Sequence, residues 1–264
     1  MRPGQMLRAA PTLLKVGFAE MVAYRAEMVV WILTATMPLV MLALWNAAAS
    51  EGPLQGFGQA DFARYFTATL VVRQLTGAWL VWELNHQVRT GGLSPQLLRP
   101  MNPLAWNMAE TVAALPFRLL VLAPIIAVLC LWRPDIVFLP SALTLACFAG
   151  SVVLAFLLSW LVQAIFGMLS FWFEQSLGLF NLWFAAYAFL GGYMLPLQLL
   201  PPAVADLAAW LPFQATLAAP VGILLGTVEL GPTLLSQAIW VVLALGLARA
   251  MWGRGLRRYG AVGA

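Results

Sequence analysis

Six apolar stretches punctuate the chain, at about 28–48, 65–84, 113–132, 138–163, 176–195 and 234–251. Each is long enough to cross a bilayer, since about 20 helical residues span the hydrocarbon core. The polar intervals between them are short, the longest being about 49–64 and 85–109. The pattern predicts an all-α membrane protein with six transmembrane helices in a single domain, 1–264. No soluble domain and no internal repeat is visible, so an inverted-repeat transporter has little support.

Two regions depart from that pattern. Residues 190–213, LGGYMLPLQLLPPAVADLAAWLPF, are apolar but carry Gly191, Gly192, Pro196, Pro201, Pro202 and Pro212. Proline removes a backbone donor and clashes with the preceding turn, so this segment cannot run as one spanning helix. Broken backbone at membrane depth is tolerated where protein or a water-filled cavity satisfies it. A broken re-entrant element between the fifth and sixth spans is expected, with Asp206, the one charge within it, facing water or a pathway. At the other end, 11–25 places Thr12, Lys15 and Ala19 on one helical face and Leu14, Phe18 and Met21 on another. An interfacial amphipathic helix within 1–27 is expected, the alternative being a plain linker into the first span. No removable signal peptide is expected there.

Composition agrees with the pattern. Of 264 residues, 62% are apolar and 9% charged, against a soluble average of roughly 25% charged. The net charge of +4 reflects basic loop edges rather than nucleic-acid binding. Basic residues set the orientation. With both termini cytoplasmic, the inner segments hold Arg2, Arg8, Lys15, Arg25, Arg89, Arg99, Arg249, Arg254, Arg257 and Arg258, and the outer ones hold Arg64 and Arg133.

Candidate chemistry is sparse. A phosphate-cradling loop needs glycines followed by Lys and Ser or Thr, and Lys15, the single lysine, has no such context. His86 is the single histidine, which excludes a multi-histidine metal site. Cys130 and Cys147 lack metal-ligand spacing and are read as packing residues or, alternatively, a disulfide. No catalytic, cofactor or metal site is expected, and a lipid-modifying enzyme is a weak reading. Charges inside the spans stand out instead. Arg73 lies near the middle of the second span and Arg118 about five residues into the third. An arginine at the bilayer centre costs roughly 2.5–3.5 kcal/mol, so each needs a partner or a cavity. Glu83 is the expected partner of Arg118. Arg73 either faces a cavity and meets an anionic or zwitterionic substrate, or is paired internally or snorkels outward.

The loop at 82–103 reads WELNHQVRTGGLSPQLLRPMNP. Gly91 and Gly92 stop a helix leaving the membrane. Ser94 can cap a short helix with Pro95 at its first position, ended by Arg99, Pro100 and Pro103. Leu97 and Leu98 would then be exposed, either as a docking knob for a partner groove or dipping into the interface. The six-span plan, this loop from Glu83 through Gln87, Arg89, Leu93, Leu97 and Leu98 to Arg99 and Pro100, and the broken stretch through Gly191, Gly192, Pro196, Pro201 and Pro212 resemble the permease subunits of ABC-2 type exporters. The resemblance implies a bacterial inner-membrane permease whose loop couples to a separate ATPase subunit, which holds the ATP and Mg. It implies a second permease chain, identical or related, with a lean toward a related one. It implies an outer gate at 190–213 and a lipid-like, glycan or drug-like substrate. A non-transporting scaffold or receptor subunit is the alternative.

Overall fold

The computed structural model describes residues 37–259 of the chain. These are helical, and no strand occurs among them. The predicted amphipathic helix within 1–27 and the start of the first span lie outside the described residues. Helix α1 is Met37–Ala48, and α2 is Gln59–Thr76. The N-terminus of α2 is closed by Asp61, whose carboxylate accepts the Gly58 N–H at 3.0 Å. Phe62, Phe66 and Leu70 along α2 are fully buried, and Trp45 of α1 stacks on Phe62 with centroids 5.4 Å apart. Apolar side chains at i, i+4 and i+8 thus form a buried stripe on α2, and Phe62 joins it to α1.

The second apolar stretch does not continue straight to residue 84. Helix α2 stops at Thr76, residues 77–79 are non-helical, and α3 resumes at Leu80–Thr90. Helix α4 is Leu93–Leu97. Helices α5 (Pro103–Ala113) and α6 (Leu115–Trp132) join into a 30-residue apolar rod. That rod starts ten residues before the predicted span because Asn102 caps it, accepting from the Leu104 N–H at 2.8 Å, with Pro103 at the first position. Pro103 therefore opens a helix rather than closing the preceding one.

Helix α7, Ala142–Met168, is the hub. It packs against α2, α3, the short α11 (Ala218–Leu225) and the long α12 (Leu230–Tyr259). Gly167 lets α3 approach, since a Cβ there would lie 3.1 Å from the Leu84 Cβ. Helix α8 is Ser176–Leu190. Among the described residues three helical rods, Pro103–Trp132, Ala142–Phe171 and Leu230–Tyr259, are long and apolar enough to cross a membrane, and α1 and α8 are shorter apolar helices. Their outward faces stay apolar, with Leu120, Leu131 and Val242 more than two-thirds exposed, as contact with lipid requires.

Candidate functional site

The break at 77–79 is built rather than frayed. Arg118 of α6 is buried, and its Nη1 donates to the Gly77 carbonyl at 2.6 Å. Gly77 makes room for it, because a Cβ there would sit 3.1 Å from that nitrogen. Gln163 of α7 serves the other side. Its Nε2 donates to the Ala78 carbonyl at 2.7 Å, and its Oε1 accepts from the Val81 N–H at 3.4 Å. The backbone groups freed by the break thus find side-chain partners, the condition for non-helical chain at membrane depth.

One turn before the break, the Arg73 guanidinium lies 5.8, 5.8 and 5.5 Å from the ring centroids of Phe184, Tyr187 and Tyr193, within cation–π range. Arg73 and Arg118 line one cleft with a cavity volume of about 100 Å³. Gln74, Gln163 and Ser159 add polar groups, and Trp82, Phe180 and Trp183 add rings. Gln74 is buried, and its Nε2 has no hydrogen-bond partner.

The expected pairing of Glu83 with Arg118 is not formed. Glu83 is exposed on α3 and accepts from Gln87 one turn along. Arg118 takes the Gly77 carbonyl instead, because the break supplies an acceptor the sequence did not announce. Starting the rod at Pro103 also moves Arg118 from near a span end to mid-rod.

The loop folds as two helices around a glycine stop. Gly91 takes φ 79° and closes α3 in the left-handed region. Helix α4 is then capped by Gly92, not Ser94. Ser94 sits in the first turn with its Oγ 3.2 Å from the Tyr259 hydroxyl. Leu93 is fully buried and anchors α4 to the core, so it presents no docking surface. Leu98 is 88% exposed and Leu97 38% exposed, with Arg99 exposed beside them. Gln87 binds Glu83, and the Arg89 guanidinium donates to the Glu174 carbonyl. Of the six predicted docking residues, Leu97, Leu98 and Arg99 form the free tip.

The segment at 190–213 is broken where its glycines and prolines fall. Gly192 has φ 85°, and its carbonyl accepts from the Tyr65 hydroxyl at 2.7 Å. Gly191 lies so close to Tyr187 that a Cβ would meet its carbonyl at 2.6 Å. Trp45 donates to the Met194 carbonyl at 2.9 Å. Pro196 precedes a 3-10 turn, Leu197–Leu199. Pro201 caps α9 (Pro202–Ala209), and Pro212 caps α10 (Phe213–Thr216). Asp206 is exposed on α9. Gln237 of α12 is 1% exposed; its amide donates to the Ala215 carbonyl at 2.8 Å and accepts from Ser151 at 2.8 Å. That tie holds α7, α12 and α10, the helix that closes the broken segment, together.

Sequence reasoning passed over Tyr65, Gln74, Gln163 and Gln237. The signal was there for Gln163 and Gln237, each an amide in a mainly apolar stretch. His86 is exposed. Cys130 and Cys147 are both free thiols. No His, Cys, Asp or Glu cluster able to hold a metal occurs among the described residues. A family model described as ABC-2 family transporter protein matches residues 29–263. No curated protein and no solved structure matches. The chain is a multi-pass membrane protein and belongs to the ABC-2 transporter family.

Proposed function

Starting from that membership, we propose that the chain is the permease subunit of an ABC-2 type exporter, driven by a separate ATPase subunit and paired with a second permease chain. In this reading six spans cross a bacterial inner membrane with both termini cytoplasmic. The tip at Leu97, Leu98 and Arg99 is the coupling contact, and 190–213 is the outer gate. The ATP and Mg belong to the ATPase, and this chain supplies the path.

The exposed tip of α4 carries the proposal. Leu98, just past the end of α4, is 88% exposed, while Leu93 at its start is fully buried. A short helix that spends one leucine on anchoring and leaves the next in the open is suited to a partner groove. Rigid attachment matters as much as exposure. Leu93 fixes α4 to the helices it must move, and the break at 77–79 gives α2 and α3 a place to hinge. Movement of packed helices about such points is a common form of switching.

The test is expression with an ATPase subunit, purification of the complex and reconstitution in vesicles. An exporter shows ATP turnover that depends on this chain and rises with substrate. A complex whose turnover never responds to any transported compound supports the scaffold alternative instead.

A further inference from the structure

The cleft at the break holds two guanidiniums, and no carboxylate among the described residues reaches either of them. Two like charges facing one cleft repel. Holding such a pair at membrane depth, with Arg118 buried and Arg73 partly so, is costly unless something of opposite charge completes it. Three rings temper the charge of Arg73, and Gly77 occupies part of the Arg118 donor set. A guanidinium carries five N–H donors in a fork that matches an oxyanion, so both retain capacity.

A second observation is independent of charge. Gln74, 3% exposed, lines the same cleft and keeps its Nε2 buried without a partner. Buried donors in native structures are nearly always satisfied, and an orphan donor beside two cations asks for an acceptor. Apolar surface adjoins these polar groups. Trp79 and Trp82, with ring centroids 4.5 Å apart, are 42% and 38% exposed and line the same cleft.

We propose that this cleft binds the oxyanion head group, phosphate or carboxylate, of an amphiphile whose apolar body lies along Trp79 and Trp82. Arg73 and Gln74 hold the oxygens. Arg118 contributes its charge while it keeps the break in place through Gly77. As an assignment of substrate class this rests on the permease reading; as a binding site it is tested without any ATPase.

The full chain is purified in dodecyl maltoside and titrated with dodecyl phosphate, inorganic phosphate and dodecyltrimethylammonium. The expected result is saturable binding of dodecyl phosphate, at least tenfold tighter than inorganic phosphate and without a counterpart for the cation. Arg73→Gln weakens it tenfold or more, which is about 1.4 kcal/mol, and Arg73→Lys weakens it less. Gln74→Leu removes the orphan amide without removing a contact, so it stays folded and still loses affinity. That second variant decides the matter if Arg73→Gln fails to fold. Equal affinity in wild type and both variants overturns the site. Inorganic phosphate binding as tightly as dodecyl phosphate overturns the amphiphile, and equal binding of the cation overturns the charge argument. None of these failures touches the permease reading, which stands or falls on co-purification of an ATPase and on its turnover.

Discussion

Replacing Gly192 with alanine tests how the broken segment is tied to α2. Gly192 has φ 85°, and an L-residue in left-handed backbone costs about 1–2 kcal/mol. The new Cβ would also fall 2.4 Å from the Tyr65 hydroxyl, which now donates to the Gly192 carbonyl at 2.7 Å in a buried site. Displacing the hydroxyl leaves that bond unmade, at about 1–3 kcal/mol. Gly192→Ala should therefore destabilise the chain by about 2–5 kcal/mol. Tyr65→Phe alone should cost about 1–3 kcal/mol, because the carbonyl loses its donor. In the double variant the steric conflict is gone and the hydrogen bond is lost once, not twice. The sum of the single effects should exceed the double effect by about 1–3 kcal/mol. The assay is unfolding of the purified chain in detergent, followed by tryptophan fluorescence. Additivity within about 0.5 kcal/mol, the range for independent sites, would refute the tether.

Other consequences follow from the same geometry. Leu93→Ala should destabilise by about 2–5 kcal/mol, since that side chain is fully buried; unfolding in detergent measures it, and a neutral result would contradict the anchoring of α4. Gln237→Leu should cost about 1–3 kcal/mol by leaving the Ala215 carbonyl unpaired, and protease accessibility of 190–213 should rise with it. The Arg133 guanidinium holds the Asp135 carboxyl below its ordinary value, so its contribution is present above the unfolded pKa of about 3.9 and is lost as pH falls through the lower folded value. With the two side chains 24% and 37% exposed, solvent still screens the pair, which is worth only about 0.2–1 kcal/mol. The stability gap between wild type and Asp135→Asn should close on acidification from neutral pH and on adding salt, and a gap independent of pH would rule the pair out.

The broken segment shows what was legible in advance. Glycine and proline act through their own backbone geometry, so Gly191, Gly192, Pro196, Pro201 and Pro212 predicted breaks that the structure contains. Gly91 likewise ended α3 where a left-handed cap was expected. The break at 77–79 went unread because Gly77 alone is a weak signal. What makes it a break is Arg118 and Gln163, which arrive from 41 and 85 residues away in sequence. Pairing Glu83 with Arg118 failed for the same reason, since depth along a helix does not tell which face a side chain takes. Ser94 lost the cap to Gly92 because burying Leu93 starts the helix earlier.

The central claim is that a separate ATPase drives this chain through the tip of α4. The most direct measurement is ATP turnover of the co-purified complex in vesicles, wild type against Leu98→Asp. Leu98 is 88% exposed, so the variant should keep the thermal midpoint of the isolated chain while its dependent ATP turnover drops at least tenfold, a loss of about 1.4 kcal/mol or more in coupling. Full turnover by a correctly folded Leu98→Asp complex would contradict the account.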